Sequence, residues 1–155
     1  MTKQPDARPL MLYLLIACLA FLSLSGFAGG IGLLTDVSGG NLEYPLEWLD
    51  GSPFSDYLIP GLFLFVVFGV GSAALLFALW KRPHVALLDK IAPLTHEHWS
   101  WVAALAMGVI LVLWIVIELL IIKEFSWFHI VYALLGIIIA TLDWRPSVRQ
   151  FYAQS

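Results

Sequence analysis

Charge is scarce in this chain. Of its 155 residues only 12% are Asp, Glu, Lys or Arg, against about a quarter in a soluble domain. Apolar residues make up 61%, and the mean hydropathy is +0.89. In water such a surplus would form large exposed patches that aggregate, whereas lipid accepts it as an outer surface. Lysine and arginine are too few to offset the acids, and the net charge of −3 argues against a nucleic-acid partner, which calls for a basic patch. Cysteine occurs once, as Cys18. No intrachain disulfide and no paired-cysteine metal or redox centre can therefore form.

What is present is four apolar stretches, at about 10–34, 58–80, 99–122 and 128–142. An α-helix needs ~20 residues to cross ~30 Å of hydrocarbon. The first three stretches are long enough. The fourth reaches across only if Trp127, Asp143 and Trp144 lie in the headgroup layers. Isolated spans satisfy their backbone N–H groups only as helices, and none of the stretches alternates apolar and polar residues as a barrel strand does. The expected fold is an all-α membrane protein with one domain over 1–155. It is a four-helix transmembrane bundle, with residues 35–57 packed as an outer lid that includes a short interfacial helix. Lys3 and Arg8 ahead of an apolar run, with small residues at Ser25-Gly26-Phe27-Ala28, resemble a secretory signal. The apolar run continues through Ile31 to Leu34, so the first span is read as retained.

Basic residues give the orientation. Of the eight, Lys3, Arg8, Lys81, Arg82, Lys90, Arg145 and Arg149 fall on one side and only Lys123 on the other. The positive-inside rule puts both termini and the second loop in the cytoplasm. The first loop then faces outward with Asp36, Glu43, Glu47, Asp50 and Asp56 and no basic residue. Trp80, Trp99, Trp101 and Trp144 are read as an inner aromatic belt and Trp48 and Trp127 as an outer one, with Trp114 deep in a span. Small residues recur four apart in each span: Gly26 and Gly30, Gly69 and Ala73, Ala104 and Gly108, Gly136 and Ala140. They let helices approach closely, either within the chain or against a second copy or another membrane protein.

The lid is the most specific segment. Asp36 to Asn41 is turn chemistry. Pro45 opens a short helix with Leu46 and Leu49 toward the membrane and Trp48 as interfacial anchor, ended by Gly51. Ser52 reads as an N-cap with Pro53 at the first helical position, starting the second span near Pro53. Pro60 then removes a backbone bond and kinks that helix. Asp36, Tyr44, Trp48, Phe54, Asp56 and Tyr57 are the candidate interaction residues of the lid.

Three segments carry a resemblance: Gly-Gly-Ile-Gly-Leu-Leu-Thr-Asp (29–36), Pro-Leu-Glu-Trp-Leu-Asp-Gly-Ser-Pro-Phe-Ser-Asp-Tyr-Leu-Ile-Pro-Gly-Leu (45–62) and Arg-Pro-Ser-Val-Arg-Gln-Phe-Tyr (145–152). With these the chain resembles a group of small bacterial four-span proteins, mostly hypothetical membrane proteins with no assigned activity. The resemblance implies a bacterial inner-membrane setting and carries over no functional residue.

Glu118 is the only ionisable residue well inside a span, which makes it a candidate site by default. It is either a polar clip, accepting hydrogen bonds from the lid or from Tyr132, or a proton or cation site in a cavity shaped by Pro60. His96-Glu97-His98, with His84 upstream, invites a metal reading. Side chains two apart on a helix diverge, however, so the segment reads as a helix start with Thr95 as N-cap and His98 at its third position. His129 lacks the second axial ligand a haem needs. Asp143 and Arg145 read as a surface ion pair, worth little. Ser23 and Ser25 have no histidine nearby, and the lid has no base to work with its carboxylates. No catalytic residue, cofactor or metal is therefore assigned. The expected partners are membrane lipids and a second copy or another membrane protein. The function expected is a non-enzymatic accessory or interaction subunit; the alternative is a carrier or channel component for a small solute, ion or lipid, with Glu118 lining its cavity. A membrane enzyme ranks third.

Overall fold

The computed structural model describes residues 8–88, 97–122 and 125–153. Among the described residues there are α-helices and short 3-10 turns but no strand. The helices are α1 (Leu10–Thr35), α2 (Leu58–Lys81), α3 (Trp99–Ile121), α4 (Trp127–Asp143) and α5 (Pro146–Tyr152). α1, α2 and α3 are each long and apolar enough to cross a membrane. α4 reaches that length only together with α5, from which it is bent by 61°. The short fourth stretch is thus followed by a folded-over helix, α5, beyond the four apolar stretches of the sequence.

α1 packs along α2 and also against α4, while α3 packs on α4 and on the last turns of α2. The reason is legible in α1. Leu12, Leu15, Leu19 and Leu22 recur three or four apart and are buried against Phe68, Leu75, Leu79, Leu111 and Ile139. Leu10, Leu14, Phe21, Leu24 and Ile31 of the same helix stay exposed, an apolar surface suited to lipid.

Glycines set the closest approaches. A Cβ on Gly26 would lie 2.5 Å from the Gly69 nitrogen, and one on Gly30 would lie 2.6 Å from Phe65 Cβ. Gly108 and Gly136 face each other, each 2.8 Å from the other's carbonyl oxygen by the same measure. These expected small-residue faces are occupied inside the chain. Opposite Gly26 and Gly30, residues Leu64–Gly71 of α2 widen into a π-helix, and Ser23 Oγ donates to the Gly69 carbonyl at 2.9 Å. Irregular helix at membrane depth needs such a side-chain partner for its backbone groups.

Three expectations for the lid and α2 are corrected. α2 begins at Leu58 rather than near Pro53. Ser52 Oγ is taken up in a local turn, accepting from the Phe54 N–H at 3.1 Å, and Asp56 Oδ1 receives the Leu58 N–H at 2.9 Å. Pro60 is therefore the third residue of the helix, where an N–H has no intrahelical acceptor. The first full-turn bond runs from Gly61 N to the Tyr57 carbonyl at 2.8 Å, so Pro60 removes nothing and imposes no kink. The short helix after Pro45 is a single 3-10 turn, Leu46–Leu49. Its Leu49 is buried with Leu33 and Tyr57 in a small second core instead of facing lipid.

Candidate functional site

At the lid end, backbone donors converge on carboxylates. Asp36 Oδ1 accepts from the Ser38 hydroxyl at 2.6 Å and the Ser38 N–H at 3.1 Å, and Oδ2 accepts from the Asn41 N–H at 3.2 Å. These donors, the Ser38 hydroxyl first, hold the Asp36 carboxyl below its usual range. Gly39 follows with φ 82°, a left-handed turn that glycine adopts freely. Tyr57 lies under the turn: its N–H donates to the Val37 carbonyl and its hydroxyl to the Pro45 carbonyl, both at 2.9 Å. Tyr44 joins the same group, with its ring 6.0 Å from Tyr57 and 5.4 Å from Trp48. Burial raises both tyrosines above their ordinary range, and for Tyr44 the charge of Glu118 and the neighbouring Tyr132 add to it.

Glu118 is half-buried near the end of α3, and its charge reaches Tyr44 of the lid. The Trp114 indole, one turn earlier, lies beside its carboxylate but outside hydrogen-bonding geometry. Trp114 stacks on Phe63 at 4.1 Å, and Tyr132 stacks on Phe21 at 6.2 Å. Of the sequence candidates, Glu118 and Tyr132 lie within electrostatic reach of Tyr44. Asp36, Phe54, Asp56 and Tyr57 serve the lid's own turns and its small core, and Trp48 packs on Tyr44. Pro60 stands apart in the first turn of α2.

The opposite end holds a polar cluster that the sequence reading missed. Trp101 is 3% exposed, so it belongs to the core and not to an aromatic belt, and its Nε1 donates to the Asp143 carbonyl at 2.9 Å. Asp143 itself is 0% exposed. Neither carboxylate oxygen meets a hydrogen-bond donor among the described residues, and the expected surface pair with Arg145 does not form. The ion pair at this end joins Arg149 Nε to Glu97 Oε1 at 2.6 Å. Glu97 also bridges Ala153, the His98 N–H donates to the Tyr152 carbonyl at 2.8 Å, and the Tyr152 hydroxyl donates to the Leu79 carbonyl. α5 is thereby fastened to the ends of α2, α3 and α4. Pro146 at the first helical position, with Val148, Phe151 and Tyr152 at helical spacing, was the available signal.

His98 and His129 cap helices. His98 is itself the N-cap of α3, with Nδ1 accepting from the Ser100 N–H at 3.2 Å, so it does not sit one turn inside the helix. Thr95 and His96, named in the same expectation, lie outside the described residues, as does Lys123. His129 closes a capping box with Ser126, whose N–H donates to its Nδ1 at 3.0 Å. Among the described residues no three of His, Cys, Asp and Glu converge as a metal would require.

Compared with protein-family models, curated proteins and solved structures, the chain matches none. Its function has to be read from its own geometry. Two open depressions stand out on the described surface, both at the α5 end. One, of about 470 Å³, is lined by Leu105, Ala140, Thr141, Trp144, Arg145 and Pro146. The other, of about 410 Å³, shares Trp144 and Pro146 and adds Glu97, Arg149 and Gln150.

Proposed function

We propose that the chain crosses the bacterial inner membrane four times, with both termini in the cytoplasm, and works as a non-enzymatic interaction subunit. The packing of the described helices carries this reading. Leucines of α1 are buried with Phe68, Leu75 and Ile139, and Trp114 stacked on Phe63 occupies the level just below Glu118. A solute path would have to displace those rings. The helix-packing glycines are used within the chain, so partners would meet its exposed leucines, isoleucines and phenylalanines or its two ends. Mild-detergent solubilisation, crosslinking and mass spectrometry should return a stoichiometric membrane-protein partner or a second copy. A strictly monomeric, partner-free protein would sink the reading.

One observation favours a second reading, a carrier or channel component. Glu118 sits half-buried near the end of α3, within electrostatic reach of Tyr44 of the lid. Under the interaction reading, Glu118→Gln leaves ion flux in proteoliposomes unchanged. Proton- or cation-coupled flux in the native protein, abolished by this substitution with folding intact, would reverse the order.

A further inference from the structure

We infer that the joined depressions at the α5 end bind one anionic phospholipid, a site that rests on the four-span reading just given. The groove has the two characters of such a molecule. Leu105 of α3 with Ala140 and Thr141 of α4 form a mainly apolar trough on the lipid-facing side of the helix pair. Trp144, 55% exposed, and Pro146 join that trough to a polar rim carrying Arg145 and Arg149. Both depressions are shallow and open, so they can take one face of a headgroup and the first part of its acyl chains without enclosing them.

Charge selects the headgroup. Among the described residues, this end presents Arg8, Lys81, Arg82, Arg145 and Arg149. Its described carboxylates are Glu97, 4% exposed, and Asp143, buried completely. Among the described residues the accessible surface of this end is therefore cationic, and both described acids are withdrawn beneath it. Glu97 does line the groove, but it engages Arg149 through Nε and so aims the guanidinium, leaving the two terminal nitrogens outside that pair. Arg149 also lies within 5.4 Å of the Trp144 ring and 5.7 Å of the Trp101 ring, which limits its swing. Arg145 makes no ion pair among the described residues and is exposed at the groove's edge. A basic pocket between helices at the headgroup level recognises the phosphate of phosphatidylglycerol or cardiolipin. A neutral headgroup carries its own cation and would gain nothing from the pair.

Native mass spectrometry tests this on the full chain released from nanodiscs of phosphatidylcholine doped with phosphatidylglycerol. The expected result is one retained phosphatidylglycerol per chain, with about fivefold weaker retention in Arg145→Gln, the effect of about one basic residue at a membrane surface. Lys81→Gln removes the same charge from the same end outside the groove and should leave retention unchanged. Arg149→Gln should weaken it further unless that variant unfolds, in which case Arg145→Gln still decides. Equal loss in Lys81→Gln and Arg145→Gln would reduce the effect to general attraction and overturn the site. Equal retention of phosphatidylcholine, or full displacement by inorganic phosphate at millimolar concentration, would overturn it too. A monodisperse chain in nanodiscs lacking anionic lipid keeps the membrane-spanning reading intact whichever way the lipid result falls.

Discussion

Gly26 sets how closely α1 and α2 approach. A methyl group there would strike the backbone of Phe68 and Gly69, which has no flexible end to move aside. Gly26→Ala should cost about 1–3 kcal/mol, the usual range for overpacking a tight interface, read as a lower thermal midpoint in detergent. Asp36 makes a pH-dependent contribution to the lid. Its folded-state pKa is depressed, so its stabilisation is complete above the ordinary value of 3.8 and is lost as pH falls through the lowered one. Amide protection across 36–44, measured relative to intrinsic exchange at each pH, should therefore fall in acid, and Asp36→Asn should flatten that dependence. The close-packing glycines were legible because their spacing alone puts them on one face. The fate of Asp143 was not. Residues two apart diverge at a helix end, so the nearest arginine in sequence was the wrong partner; the contact made at Asp143 is to its backbone carbonyl, from Trp101 over forty residues away.

Among the elements, α5 holds the end of the bundle opposite the lid. Arg149→Gln would leave the Glu97 carboxylate covered by protein without its counter-charge. That costs about 1–3 kcal/mol, the penalty of an unsatisfied buried polar group, and adding Glu97→Gln should recover part of it. Thermal unfolding of the two single variants and the double variant measures this coupling. Expression of a chain ending at Trp144 gives a coarser check, since it uncovers Val148's site and the Tyr152–Leu79 bond. The start of α2 shows where element boundaries escape sequence reasoning. Ser52 and Pro53 have the chemistry of a helix start, yet Ser52 Oγ is engaged with both the N–H and the carbonyl of Phe54. Tyr57, anchored to Val37 and Pro45, fixes the real beginning through contacts that no local window contains.

For the molecule as a whole, the two ends differ in sign. Asp36, Glu43, Glu47, Asp50 and Asp56 mark the lid, and arginines mark the other end. In a Cys18→Ala background, a membrane-impermeant maleimide added to intact cells with a permeabilised outer membrane should label Ser38→Cys. It should label Gln150→Cys only after the inner membrane is opened. The opposite pattern would invert the proposed topology, and equal labelling of both positions in intact cells would deny an even number of crossings. Helical class and the first three long helices followed from length and apolarity, which need no tertiary knowledge. The fourth was ambiguous because α4 is short and its continuation turns aside by 61°. That Glu118 lies within electrostatic reach of Tyr44 and not at an isolated helix end depends on how the lid folds back, which no local window contains.

α5 comes after every helix it fastens, which has a consequence for biogenesis. During synthesis the ends of α2, α3 and α4 emerge first and wait unlatched, with Glu97 lacking its arginine and the Leu79 carbonyl lacking its hydroxyl. Emergence and final closure of that end are thus ordered in time: the clasp is the last described helix to leave the ribosome, and a nascent bundle stays pliable there until it arrives.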